Sequence, residues 1–199
     1  MQQGPFITRP MSIALDAVRA AAALAVLFGH TMQITVYDGY FPYWFVTQHN
    51  AVLIFFVLSG LVIATSADKP DSSLGSYAMA RAARLLPVAL PAVAISAAVD
   101  WYVTSGQLGG IGVWEWLRDT LLASFFLSAS FGGGLPGNAP YWSLCYEVWF
   151  YALFAAAFYL RGGARIGAVA ICAVLAGPKI LLLLPGWLAG VWLAKTQLW

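Results

Sequence analysis

The chain has 199 residues, of which 61% are hydrophobic and 9% charged, and its formal net charge is +2. Its mean hydropathy is +0.78. A soluble domain carries roughly 25% charged residues, so this composition cannot furnish a water-facing surface, and the small net charge gives no footing for nucleic acid.

A membrane-spanning helix needs about 20 mostly apolar residues and satisfies its own backbone groups. The chain is therefore expected to be all-α, a polytopic transmembrane helix bundle in the lipid bilayer. The first span is predicted from Ser12 to Thr31. It reads as a retained span, because Asp16 and Arg19 lie inside it and Thr31-Met32-Gln33 offers no small-x-small cleavage site. A polar, aromatic loop with Asp38 and Pro42 follows, from Gln33 to His49. The second span runs from Asn50 to Ser66. Ala67 to Arg84 is the most polar stretch, read as a loop leading into a helix start, and the third span is placed at Leu85–Val103, with Pro87 and Pro91 in its first turns.

Val113–Phe131 is short for a crossing. Trp114-Glu115-Trp116 and Arg118-Asp119 suit the interface, and only about a dozen apolar residues follow, so a re-entrant or interfacial helix is predicted. A Gly/Pro loop covers Gly132–Pro140, and a strong span covers Tyr141–Leu160. Two shorter apolar segments, Ile166–Gly177 and Ile180–Ala194, are divided by Pro178-Lys179. The prediction is thus six spans plus one re-entrant helix, in one domain over residues 1–199 without internal repeats. Nine Trp and nine Tyr, many at segment ends, fit interfacial belts. Lys and Arg in the short loops place the N-terminus in the cytoplasm, and they keep Arg161 and Arg165 there if Val113–Phe131 does not cross. Cys145 and Cys172 each sit inside an apolar run, and neither a disulfide framework nor metal-ligand spacing is present.

The ionisable residues inside these spans are the candidates for chemistry. Arg19 and His30 are eleven residues apart, three helical turns plus about 20°, so they share one helix face about 16.5 Å apart along the axis. Asp16, three residues before Arg19, can pair with it. A charge near the centre of a membrane helix costs roughly 2.5–3.5 kcal/mol on the gentlest scale. This stripe is therefore expected to face a bundle interior or a wet cavity. Its bland reading is a buried ion pair and a satisfied histidine that only set packing. Ser143, Glu147 and Tyr151 are spaced four apart on another helix face, and Glu147 lies about two turns inside its span. Ser59-Gly60 reads as a close-packing site between helices rather than a nucleophile. His49 reads as a loop histidine.

The motifs resemble those of membrane acyltransferase family 3, the bacterial O-acyltransferases that modify envelope sugars and other exported molecules. Leu15-Asp16 with Arg19 and His30 matches the family's opening. Phe55-Phe56 with Leu58-Ser59-Gly60 matches its second motif, where Leu61 stands in place of the usual Phe. Arg81 and Arg84 before Pro87, then Trp142-Ser143-Leu144 with Glu147, Phe150 and Tyr151, complete the family's order. The resemblance covers the family's N-terminal half, and it implies a chain truncated at its C-terminus.

The resemblance implies transfer of an acyl group, most often acetyl, from acyl-CoA to a hydroxyl of an exported or cell-envelope carbohydrate, with no bound cofactor. It implies a location in the inner (cytoplasmic) membrane. His30 is expected to be general base or covalent acyl carrier, and Arg19 to bind donor or stabilise charge at the thioester oxygen. Glu147 would orient His30 or the acceptor, with Asp16, Ser143 and Tyr151 in support. Arg81 and Arg84 would hold the coenzyme A phosphates, since guanidinium forks match phosphate; as topology anchors they would instead meet lipid headgroups. Two rival readings stand beside the enzyme: an inactive truncated remnant, and a transporter or channel using the same intramembrane polar residues. A homo-oligomer closed through Ser59-Gly60 is also compatible with the sequence.

Overall fold

The computed structural model describes residues 9–35, 48–105, 112–132, 134, 135, 138 and 140–196. Seven helices carry them, with no strand among the described residues. They are α1 (Arg9–Thr35), α2 (Gln48–Ala67), α3 (Leu74–Ser105), α4 (Val113–Ser124), α5 (Ser128–Phe131), α6 (Tyr141–Tyr159) and α7 (Gly162–Thr196). Among the described residues four helices are long and apolar enough to cross a bilayer: Arg9–His30, His49–Ala67, Leu74–Val103 and Gly162–Thr196. The 19 residues of α6 are also of spanning length, but their polarity is raised by Glu147 and several tyrosines. The predicted loop after the first span lies, over 36–47, outside the described residues.

Two readings of the sequence are corrected. The third helix begins at Leu74, not near Leu85, so Arg81 and Arg84 sit on a helix rather than in a loop. Its start is fixed by a reciprocal cap. The Ser76 amide donates to Ser73 Oγ at 3.2 Å, and the Ser73 amide donates to Ser76 Oγ at 3.0 Å. This is a capping box with serine in the glutamate's place. Pro87 and Pro91 consequently fall mid-helix, where each removes one backbone hydrogen bond. His49 opens α2 instead of lying in a loop.

The other predicted interruptions are present. Gly177 takes φ 73°, ψ 171°, which breaks α7 into two helical pieces where Pro178 had signalled it. At the kink the Ser130 hydroxyl donates to the Ala176 carbonyl at 2.8 Å. Val113–Phe131 is not one continuous helix. The 12 residues of α4 rise only about 18 Å, and the chain then turns at Phe126, whose φ is 58°.

The described residues form two compact units. In residues 1–70 with 185–199, α1 packs along α2, and the last part of α7 meets α2 through Gly60, Gly190 and Ala194. Leu61, Ala64 and Ala194 make the buried centre there, with Leu15 and Val191 against it. The crossing is a backbone-to-backbone contact. A Cβ on Gly60 would run into the Trp187 carbonyl, and one on Gly190 would run into the Val57 carbonyl and come within 2.8 Å of the Leu61 nitrogen. Without water to drive association, membrane helices gain most from such close approach through small residues. Ser59-Gly60 thus serves packing within the chain. Trp187, fully buried, lies against this glycine face.

The second unit covers residues 71–184. Here Val93, Ala123, Leu135, Tyr141 and Cys145 form a core, with Phe126, Ala129 and Leu144 against it. Indole and phenol groups tie its helices to one another's backbones. Trp116 Nε1 donates to the Ala97 carbonyl at 3.0 Å, and the Tyr141 hydroxyl donates to the Ala123 carbonyl at 2.9 Å.

The two crossing glycines make a direct test. Gly60→Val and Gly190→Val are each expected to destabilise the chain by about 1–3 kcal/mol, the usual cost of overpacking. Gly186→Val, where nothing lies within 4 Å of an added Cβ, is expected to be near neutral. Reversible denaturant titration in detergent measures all three; equal losses at all three glycines would contradict the crossing.

Candidate functional site

The predicted site residues fall in both units, and each unit is described on its own. On α1, Asp16 and Arg19 form the expected ion pair, with Arg19 Nη1 3.2 Å from Asp16 Oδ1. The Arg19 side chain is 26% exposed and that of Asp16 66%, so the arginine turns toward the covered side and the carboxylate outward. Arg19 Nη2 is buried without a hydrogen-bond partner among the described residues. His30 is half-buried, three turns further along α1.

The second unit brings more of the predicted residues together. Arg81 lies half-buried on α3. Its guanidinium carbon is 5.8 Å from the centroid of the Tyr77 ring, one turn earlier on the same helix, and 5.8 Å from that of the Tyr151 ring on α6. Both distances are within the roughly 6 Å over which an aromatic face attracts a cation. The Tyr151 hydroxyl donates to Glu147 Oε1. The buried Tyr77 hydroxyl donates to the backbone carbonyl of Tyr151 at 3.2 Å, which fixes the register of α3 on α6. Arg81, Tyr77, Tyr151 and Glu147 are thus one connected group. No carboxylate within 4 Å pairs with Arg81 among the described residues, and its Nε is buried without an acceptor.

Two predicted members stand apart from this group. Arg84 is exposed. The Ser143 hydroxyl donates to the Pro140 carbonyl at 2.9 Å, a local bond in the first turn of α6. Among the described residues no group of three or more His, Cys, Asp or Glu could hold a metal ion.

Beside the group lies a cavity of about 260 Å³. Tyr77, Arg81 and Tyr151 line it together with Leu85, Leu86, Phe126, Val148 and four alanines of α3 and α6. Tyr77 and Phe126 were not among the residues singled out by sequence. Tyr77 had a signal, its place one turn before Arg81. Phe126 had none, because its role depends on a positive φ, which ordinarily favours glycine. That conformation closes α4 by a Schellman pair: the Phe126 amide donates to the Ala123 carbonyl at 3.0 Å, and the Leu127 amide to the Leu122 carbonyl at 2.7 Å. A left-handed conformation costs a residue with a side chain roughly 1–2 kcal/mol. Two contacts offset it. The Phe126 carbonyl accepts from Trp149 Nε1 at 2.9 Å, and the Phe126 ring stacks on Tyr141 with centroids 6.3 Å apart.

A family model described as an acyltransferase domain matches residues 12–197. The chain belongs to this acyltransferase family. It is also similar to the acyltransferase MdmB of Streptomyces mycarofaciens, at 34% identity over 106 residues. That match takes in 52% of this chain and 27% of the relative's length. No solved structure matches significantly. In this family member, then, Arg81 of α3 and Glu147 and Tyr151 of α6 meet at one place.

The Tyr151–Glu147 link can be measured. Tyr151→Phe and Glu147→Gln in a double-mutant cycle are expected to show a coupling of about 0.5 kcal/mol or more in the stability of the detergent-solubilised chain. Strictly additive losses would contradict the bond.

Proposed function

We propose that the chain is a membrane-embedded O-acyltransferase that moves an acyl group from acyl-CoA to a hydroxyl of an exported or cell-envelope carbohydrate. The observation that carries this reading is the meeting of Arg81, Tyr151 and Glu147 beside a cavity in a chain of the acyltransferase family. An arginine held by aromatic rings keeps its charge available, and a thioester donor with phosphate groups supplies the polar and anionic partners for it. Arg84, exposed one turn further along, would meet the phosphates, and Arg81 would face the thioester end of the donor.

In this reading His30 acts as general base. It takes the proton of the acceptor hydroxyl as that oxygen attacks the thioester carbonyl carbon. The C–S bond breaks, coenzyme A leaves as thiolate, and the thiolate takes up the proton from His30. Arg19, about 16.5 Å along α1 from His30, would bind an anionic group of the donor rather than the reacting carbonyl. Asp16 keeps Arg19 oriented through their ion pair. Glu147 would hold the Tyr151 hydroxyl and orient the acceptor. Covalent acyl transfer through His30 is the alternative role for the same imidazole.

The membrane reading extends the four apolar helices to six spans, counting α6 and both halves of α7, with α4 and α5 re-entrant. The location would be the inner membrane with the N-terminus cytoplasmic. The short rise of α4 and its turn at Phe126 support the re-entrant assignment, and the positive residues of the short loops support the orientation. Impermeant labelling of a single cysteine at position 163, in a background free of Cys145 and Cys172, is expected to fail from outside the cell. Labelling from outside would overturn this topology.

The reaction itself is tested by supplying radiolabelled acyl-CoA and a panel of sugars to the chain in lipid. Acyl ester on the sugar is expected. His30→Ala and Arg19→Ala are expected to lower its rate by about 10²- to 10⁴-fold, the usual worth of general acid–base groups, with membrane insertion unchanged. Near-wild-type esterification by His30→Ala would remove His30 from the mechanism.

A further inference from the structure

The cavity beside Arg81 is larger than an acetyl group requires. One water takes about 30 Å³ of liquid, and a methyl or methylene group is of similar bulk. The roughly 260 Å³ of the cavity therefore exceeds a single methyl several-fold. Its walls are also of one kind. Away from the two tyrosines and Arg81, the lining is Ala, Leu, Val and Phe, so nothing there offers a hydrogen bond to a polar occupant. The polar edge is Arg81, whose head is clasped between Tyr77 and Tyr151 with no carboxylate partner among the described residues. Alanines at 78, 82, 152 and 155 create the space; a larger side chain at any of them would narrow it. Phe126 closes one wall from a left-handed backbone conformation that is retained despite its cost.

We infer that this cavity seats the hydrocarbon chain of the donor, with the thioester toward Arg81, and that the preferred acyl group is of hexanoyl to octanoyl length rather than acetyl. The inference rests on the acyl-CoA reading above and makes it specific. Hydrogen-bond and apolar matching choose the occupant. A sugar would leave its hydroxyls unpaired against alanine and leucine, which is costly, whereas an acyl-CoA puts a carbonyl at the one cation and methylenes on the apolar wall. A membrane lipid shares the acyl chain, so the test separates the two sources.

The probe is an octanoyl-CoA carrying a diazirine near the end of its chain, photolysed with the chain in lipid nanodiscs. The label is expected on α3 and α6, within 78–86 and 148–155. Octanoyl-CoA is expected to displace it about tenfold or more better than acetyl-CoA, since each added methylene leaves water for an apolar wall. Ala152→Leu is expected to cut the octanoyl advantage by about tenfold, while Leu182→Ala, on an exposed face of α7, leaves it in place. Esterification with the same series of donors is expected to follow the same order.

Equal displacement by acetyl-CoA, octanoyl-CoA and free coenzyme A would overturn the chain-length inference and leave donor binding standing. Displacement by an octanoyl lysophospholipid as effective as by octanoyl-CoA would overturn it in favour of a lipid site. Displacement by the lysophospholipid alone would overturn the acyl-CoA reading as well. Label spread along the lipid-facing sides of α1 and α7 would show that the cavity holds no chain.

Discussion

A guanidinium carried into an apolar helix pair has to be met by something, and Arg81 is met by two aromatic faces. Tyr77 and Tyr151 approach it at the same 5.8 Å, one from its own helix and one from α6. For a half-buried cation each such contact contributes about 0.5–2 kcal/mol. The arrangement differs from an ion pair in what it leaves available. A carboxylate partner would consume the charge, whereas rings hold the cation and leave its donors for a ligand. The rest of the unit is built to keep those rings in place. The Tyr77 hydroxyl is bound to the Tyr151 carbonyl, the Tyr151 hydroxyl to Glu147, and Phe126 is locked opposite by Trp149 and Tyr141.

The first unit follows a different rule. Its stability depends on how closely backbones approach. Gly60 and Gly190 put the α2 and α7 backbones in direct contact, and Trp187 fills the space beside them. The apolar face of α1 is left open: only 6% of its most hydrophobic stretch is buried. Such a surface is untenable in water and ordinary in a bilayer, where lipid chains cover it. Arg19 and His30 are half-buried, on the covered side of that helix with the buried Ala22.

Much of this was written in the chain at short range. The apolar segments, the break at Pro178 and the insufficiency of Val113–Phe131 for a straight crossing follow from composition and from proline and glycine positions. The Asp16–Arg19 pair and the Tyr151–Glu147 bond follow from helical spacing. What could not be read depended on local chemistry with weak signals or on tertiary contact. Ser73 and Ser76 start α3 a full three turns early through a cap that uses serine where glutamate is the stronger cue. That shift moves Arg81 and Arg84 onto a helix, whose 3.6-residue period puts one beside the rings and the other in the open. Phe126 adopts a conformation that its residue type disfavours, and only its neighbours reveal why. That Gly60 packs closely was legible, but the helix it meets lies more than a hundred residues away.

In the proposed function Arg81 is the ring-held cation that would receive the donor. Equilibrium binding of acetyl-CoA to the chain in lipid nanodiscs addresses this without requiring turnover. Arg81→Gln is predicted to weaken binding about tenfold or more, the scale of a lost hydrogen bond to a charged group. Tyr77→Leu is predicted to weaken it as well, and Tyr77→Phe, which keeps the ring, to weaken it less. Arg81→Gln binding acetyl-CoA as tightly as the unaltered chain would contradict the account.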